Sequence, residues 1–158
     1  MLLDRSGKPL RALDSLNVTR VSPPAFAGAT TDARGDDAGA NDPYTLFTVT
    51  GDVLVRIFGV CTVDLASAGG GTISLGITGN VALINAATTA TAIDANEIWN
   101  DTAPAIVDTL ASIPGPFVIP NGVDIVEAYA TADITAGNIY YICLWRPLSD
   151  DGFVEAAV

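Results

Sequence analysis

From Tyr44 onward, apolar residues come in short runs separated by turn-forming pairs; before Tyr44 they are sparse and keep no period. Thr72 to Thr78 shows the pattern most cleanly. Ile73, Leu75 and Ile77 fall on one side and Thr72, Ser74 and Thr78 on the other, the period of two that marks a half-buried strand. Strands are also predicted over Tyr44–Thr50, Val53–Leu65, Val81–Asn85, Ile106–Leu110, Phe117–Ile119, Val123–Ala132 and Ile139–Leu144, with weaker ones at Thr88–Ile93 and Glu97–Trp99. Gly51-Asp52 predicts a tight hairpin. Ala68–Gly71, Gly79-Asn80, Asn121-Gly122 and Thr135–Asn138 read as further turns. No stretch has a convincing amphipathic helical period. Roughly eight to ten short strands at regular spacing predict an all-β fold, an antiparallel β-sandwich closed as a jelly roll.

Residues 1–43 read differently. Leu10, Leu13, Leu16, Val18 and Val21 are scattered, and Pro23-Pro24 interrupts regular structure because proline lacks a donor and restricts its predecessor. Ala25–Pro43 is mostly Ala, Gly, Thr, Asp and Asn, a loop composition. The predicted organisation is an extended N-terminal arm and linker over 1–43 and a sandwich domain over 44–158.

Two strands carry more apolar surface than one core requires. Val53, Val55, Ile57 and Cys61 oppose Leu54, Phe58 and Val60, interrupted only by Arg56; Ile139, Tyr141, Cys143 and Trp145 oppose Tyr140, Ile142 and Leu144. A sandwich strand needs one apolar face. The second must be covered, either by the chain's own loops or arm or by another subunit, at about 25 cal/mol per Å² removed from water. Phe58, Tyr140, Ile142 and Leu144 are the subunit-interface candidates, and a cyclic homo-oligomer is the favoured arrangement.

Charge sharpens the division. The 158 residues carry a net −11, yet five of the seven cations lie in the first 34 positions: Arg5, Lys8, Arg11, Arg20 and Arg34. The rest of the chain holds fifteen acids against Arg56 and Arg146. Such a body repels nucleic acid and anionic membrane, so neither is an expected partner. The arm offers Arg5, Lys8, Arg11 and Arg20 for acidic groups and Leu10, Leu13 and Leu16 for shallow apolar sites on a partner, ordering as it binds. Met1-Leu2-Leu3 runs straight into Asp4 and Arg5, so no export signal is expected.

Candidate chemistry is thin. No histidine is present, which removes the commonest general base and metal ligand. Cys61 and Cys143 sit in core-like runs, as buried thiols or as a disulfide between neighbouring strands. Gly69-Gly70-Gly71-Thr72 lacks the lysine of a phosphate loop. Asp36, Asp37, Asn41 and Asp42 could offer oxygens to Ca²⁺, but their spacing is not that of an EF-hand and a solvated linker is the better reading. Arg34-Gly35-Asp36 spells an adhesion tripeptide that its Asp/Gly-rich surroundings explain without a receptor. Tyr140, Tyr141 and Trp145 are read as packing residues, whereas Trp99, beside Asn100-Asp101, is the candidate for an exposed aromatic contact such as sugar stacking. The expectation is a protein that is not an enzyme and uses no cofactor or metal.

Three phrases carry a family resemblance: Leu46–Val53 continuing through Val60-Cys61, Thr89–Asp94 followed by Ile98-Trp99, and Ala130–Gly137 leading to Tyr141–Pro147. They resemble small structural proteins of tailed bacteriophages, the capsid decoration or cement proteins, over about residues 44 to 152. The resemblance implies a jelly-roll subunit, a homotrimer, seated on the virion exterior at local threefold positions of an expanded capsid. It would be made in the host cytoplasm and would bind the major capsid protein to stabilise the lattice. The alternatives are a carbohydrate- or host-surface-binding module of a head fibre or tail, and a small hydrolase.

Overall fold

A computed structural model describes residues 16–158 of the chain. Ten strands form two antiparallel sheets: β1 (Asn17–Val21), β2 (Tyr44–Thr50), β3 (Val53–Ala66), β4 (Thr72–Ile77), β5 (Asn80–Thr89), β6 (Ile98–Trp99), β7 (Phe117–Ile119), β8 (Ile125–Ala130), β9 (Ala136–Pro147) and β10 (Phe153–Ala156). One sheet runs β1-β9-β3-β6, with β7 also on β3; the other runs β10-β2-β8-β4-β5. The sheets pack face to face as a β-sandwich. Setting β7 and β10 aside leaves four strands per sheet, wound as two Greek keys in the jelly-roll manner.

This winding corrects two expectations. Gly51-Asp52 does not close a hairpin: β2 and β3 lie in different sheets, and the turn carries the chain across the sandwich. Gly51 has φ 62°, and a Cβ there would meet the amide of Gly152 at 2.7 Å, so both its conformation and its setting suit glycine. The predicted arm is also largely part of the body. From Asn17 the chain is strand β1, antiparallel to β9 with Val18 opposite Leu144 and Arg20 opposite Ile142.

The connection from β1 to β2 is built into the sandwich as well. Phe26 is buried in the core. Backbone bonds from Phe26 to Gly137 (3.0 Å), Gly28 to Ile134 (3.0 Å) and Ile134 to Gly35 (2.8 Å) tie this segment to the start of β9. The approach is too close for a side chain: a Cβ on Gly28 would lie 2.3 Å from the Gly35 carbonyl, and one on Gly35 (φ 101°) 2.3 Å from that of Ile134. Ile106–Leu110, predicted as a strand, is a loop with Ile106, Val107 and Leu110 exposed.

The core lies between the sheets. Val53, Val55, Ile57 and Cys61 of β3 and Ile139, Tyr141, Cys143 and Trp145 of β9 meet Phe47, Ile73, Leu75, Ile125 and Tyr129 from the other sheet. Side chains close the two open edges. Trp145 Nε1 donates to Thr19 Oγ1 (2.9 Å), which donates to the Val154 carbonyl (2.9 Å). Opposite, Trp99 Nε1 donates to Thr88 Oγ1 (3.0 Å).

Candidate interaction surface on the outer sheet face

Because β3 and β9 alternate strictly, their second apolar faces point out of the sandwich together. Register sets Phe58 beside Ile142, Val60 beside Tyr140, Arg56 beside Leu144 and Leu54 beside Arg146. The interface candidates Phe58, Tyr140, Ile142 and Leu144 therefore form one contiguous, half-buried patch. β1 extends it with Val18, and β7 with Val118 opposite Leu54; these two are 64 % and 66 % exposed, so the patch is not closed over by the described residues.

The cations of the described residues divide sharply. They number four: Arg20, Arg34, Arg56 and Arg146. Arg34 is buried; the other three stand on this outer face. The Arg20 guanidinium lies 3.9 Å from the centroid of the Tyr140 ring, within cation–π range. Arg56 Nη1 donates to the carbonyls of Leu110 (2.6 Å) and Ile113 (3.2 Å) and so fixes the 110–113 loop on the sheet. Between that loop and β9 runs a groove of about 580 Å³, lined by Leu16, Leu54, Leu110, Pro116 and Leu144 with Arg56 and Arg146 at its sides. Of the predicted arm contacts, Arg5, Lys8, Leu10, Arg11 and Leu13 lie outside the described residues. Leu16 lines the groove and Arg20 belongs to β1, so both are placed on the body.

Trp99 is corrected outright. It has no exposure and meets the Tyr141 ring edge-on at 6.3 Å between centroids. The polar residues flanking it had suggested solvent. Asn100 is itself buried and donates to Asp108 Oδ2 at 2.5 Å, so its polarity serves an internal bond. The sugar-stacking reading loses its residue.

Arg34, read as one of the cations of the arm, lies in the interior. Rather than presenting an adhesion tripeptide, it is 3 % exposed and forms a bidentate pair with Glu127 of β8, Nε to Oε1 at 2.5 Å and Nη2 to Oε2 at 3.0 Å. Its remaining donors reach the carbonyls of Pro24 (2.7 Å) and Ile139 (3.3 Å) and Asn138 Oδ1 (3.2 Å); Phe26 covers it at 3.9 Å. The hydroxyls of Tyr129 and Tyr141 each donate to Glu127 at 2.5 Å. Burial alone would lower the Arg34 pKa, but the Glu127 charge overrides it and the guanidinium is held charged. Burial and then the Glu127 charge push both tyrosines up, keeping them as donors. The signal in the sequence was Glu127 itself, an acid inside an apolar strand, which is seldom buried without a partner.

The acidic loop is organised around its own backbone. Asp36 accepts from the amides of Asp32 (2.8 Å) and Ala38 (3.1 Å), Asp32 from Ala40 (2.7 Å), and Asp42 from Tyr129 (3.0 Å). Asp37 joins Asp36 and Asp133 with carboxylate oxygens within 4.8 Å of one another; partial desolvation and the Asp133 carboxyl raise its pKa. Cys61 and Cys143 are free buried thiols, and burial pushes them up to about 11 and about 12, far from the thiolate that nucleophilic chemistry needs. Comparisons with protein-family models, with characterised proteins and with solved structures find no match for the chain.

Proposed function

We propose that the protein is a capsid decoration protein of a tailed bacteriophage: a non-enzymatic jelly-roll subunit that self-associates, as a homotrimer, and binds the major capsid protein on the virion exterior. The observation carrying this reading is the outer face of β1, β9 and β3, an apolar surface beyond what the core uses, on a domain whose buried charges, Arg34 and Glu127, are paired with each other. The jelly-roll-like winding supports it, beside the resemblance of three strand phrases to decoration proteins. The phrase from Leu46 to Cys61 spans the sheet-to-sheet crossing of β2 and β3, and the last phrase spans β9. The basic stretch Arg5, Lys8 and Arg11 is left as the segment that follows the capsid shell.

The test is cosedimentation of full-length protein with purified expanded capsids. Saturable binding that raises the capsids' resistance to heat is the expected result. Absence of binding, with capsids whose lattice is intact, overturns the reading. Charge reversal at Arg5, Lys8 and Arg11 separates the contribution of the N-terminal stretch from that of the body, and is expected to weaken binding at least tenfold.

A further inference from the structure

We infer that the outer face of β1, β9 and β3 docks on the carboxylate-bearing surface of a second copy of the chain, so that copies associate head to tail and close into a ring rather than pairing about a two-fold axis. The inference rests on the self-association proposed above, and is independent of whether the ring sits on a capsid.

Charge selects the occupant. Over Leu54 to Val60 of β3, Tyr140 to Arg146 of β9, and Val18 and Arg20 of β1, the outward side chains are apolar or aromatic plus Arg20, Arg56 and Arg146, with no carboxylate among them. Elsewhere the described residues carry fifteen carboxylates besides Glu127, and their one ion pair is the buried Arg34–Glu127. An isologous contact would press this face against its own copy. All three guanidiniums of each partner would then enter one desolvated interface without a counter-charge, an arrangement that electrostatic complementarity opposes. Turned onto another face of a neighbour, the same face can meet the carboxylates that it lacks itself. A heterologous contact of this kind closes into a ring when its rotation allows. The apolar groove between Leu54, Leu110 and Leu144 supplies area and Arg20, Arg56 and Arg146 supply orientation, so assembly combines hydrophobic burial with salt-sensitive steering.

Sedimentation velocity of the full chain, without capsids, tests this. The wild-type protein is expected to sediment as a closed oligomer at low salt and to shift toward monomer as NaCl rises. Arg20→Glu/Arg146→Glu alters two exposed side chains, keeps the far-UV spectrum, and is expected to be monomeric; Arg20→Gln/Arg146→Gln shifts the same way by a smaller amount. A fluorescently labelled Glu/Glu variant is still expected to sediment with added wild-type protein, because it retains the receiving surface. A wild-type monomer at all concentrations, a variant of unchanged size, or a variant that fails to join the wild type would each overturn the head-to-tail contact. Capsid binding by a monomeric wild-type protein would sink this inference together with the proposed self-association, and leave the capsid-binding part of the decoration reading standing.

Discussion

A guanidinium and a carboxylate taken out of water lose hydration that their mutual attraction only partly returns, so a buried pair survives when every remaining lone pair and proton is also bonded. Arg34 and Glu127 meet that condition: two tyrosine hydroxyls, two backbone carbonyls and Asn138 complete the set. Among the described residues no buried side-chain nitrogen or oxygen lacks a partner. Removing one partner strands a charge in the core. Arg34→Met and Glu127→Met are each expected to cost about 3–5 kcal/mol, read as urea midpoints at constant slope. Arg34→Met/Glu127→Met removes both charges and should cost clearly less than the two singles together, although the Tyr129 and Tyr141 hydroxyls then lose their acceptor at about 1–3 kcal/mol each. Additivity of the two sites within about 0.5 kcal/mol would mean that the pair is not coupled.

The pair also decides which elements belong to the fold. Arg34 lies in the connection after β1, so this connection is held by a charge in the core as well as by its backbone bonds. A chain beginning at Tyr44 would lose β1, Phe26 and Arg34 together and leave Glu127 buried alone; it is expected not to unfold cooperatively. A chain beginning at Leu16 keeps all three and should melt within a few degrees of full length. Calorimetry on both separates the outcomes, and a folded Tyr44 chain would return residues 17–43 to the status of an arm. The strands built on dense apolar runs were legible in the sequence: β2, β3, β4, β8 and β9 lie on the predicted runs, although β9 begins at Ala136, inside the segment Thr135–Asn138 that reads as a turn. β1 was not, because its pattern is inverted. Its inward Thr19 is polar in order to bridge Trp145 and Val154, and its outward Val18 is exposed. The run Ile106–Leu110 misled in the opposite sense, as apolar residues on a loop that Arg56 pins by its carbonyls. The outer face was legible from the excess of apolar positions on two strands. The gathering of Arg20, Arg56 and Arg146 on it was not, since only sheet register brings residues 20, 56 and 146 to one surface.

At the scale of the whole molecule, charge acts on folding and on association with opposite signs. The described body holds sixteen acids against four cations, and its one ion pair is buried, where salt screens it little. The exposed carboxylates repel one another across the compact state, and that repulsion is relaxed in the expanded chain. Screening should therefore stabilise the fold: between about 0.02 and about 0.5 M NaCl the Debye length falls from roughly 20 Å to under about 5 Å, and the melting temperature is expected to rise by several degrees. A surface held by exposed ion pairs would respond the other way. The head-to-tail contact places arginines against carboxylates, so the same salt should loosen it while the subunits become more stable. Thermal melts and sedimentation on one salt series read the two effects side by side. The Arg20→Glu/Arg146→Glu variant, monomeric throughout, should show the melting rise without any change in size. If melting temperature and oligomer size instead fall together as salt is added, subunit stability rests on the interface, and the body does not carry its fold alone.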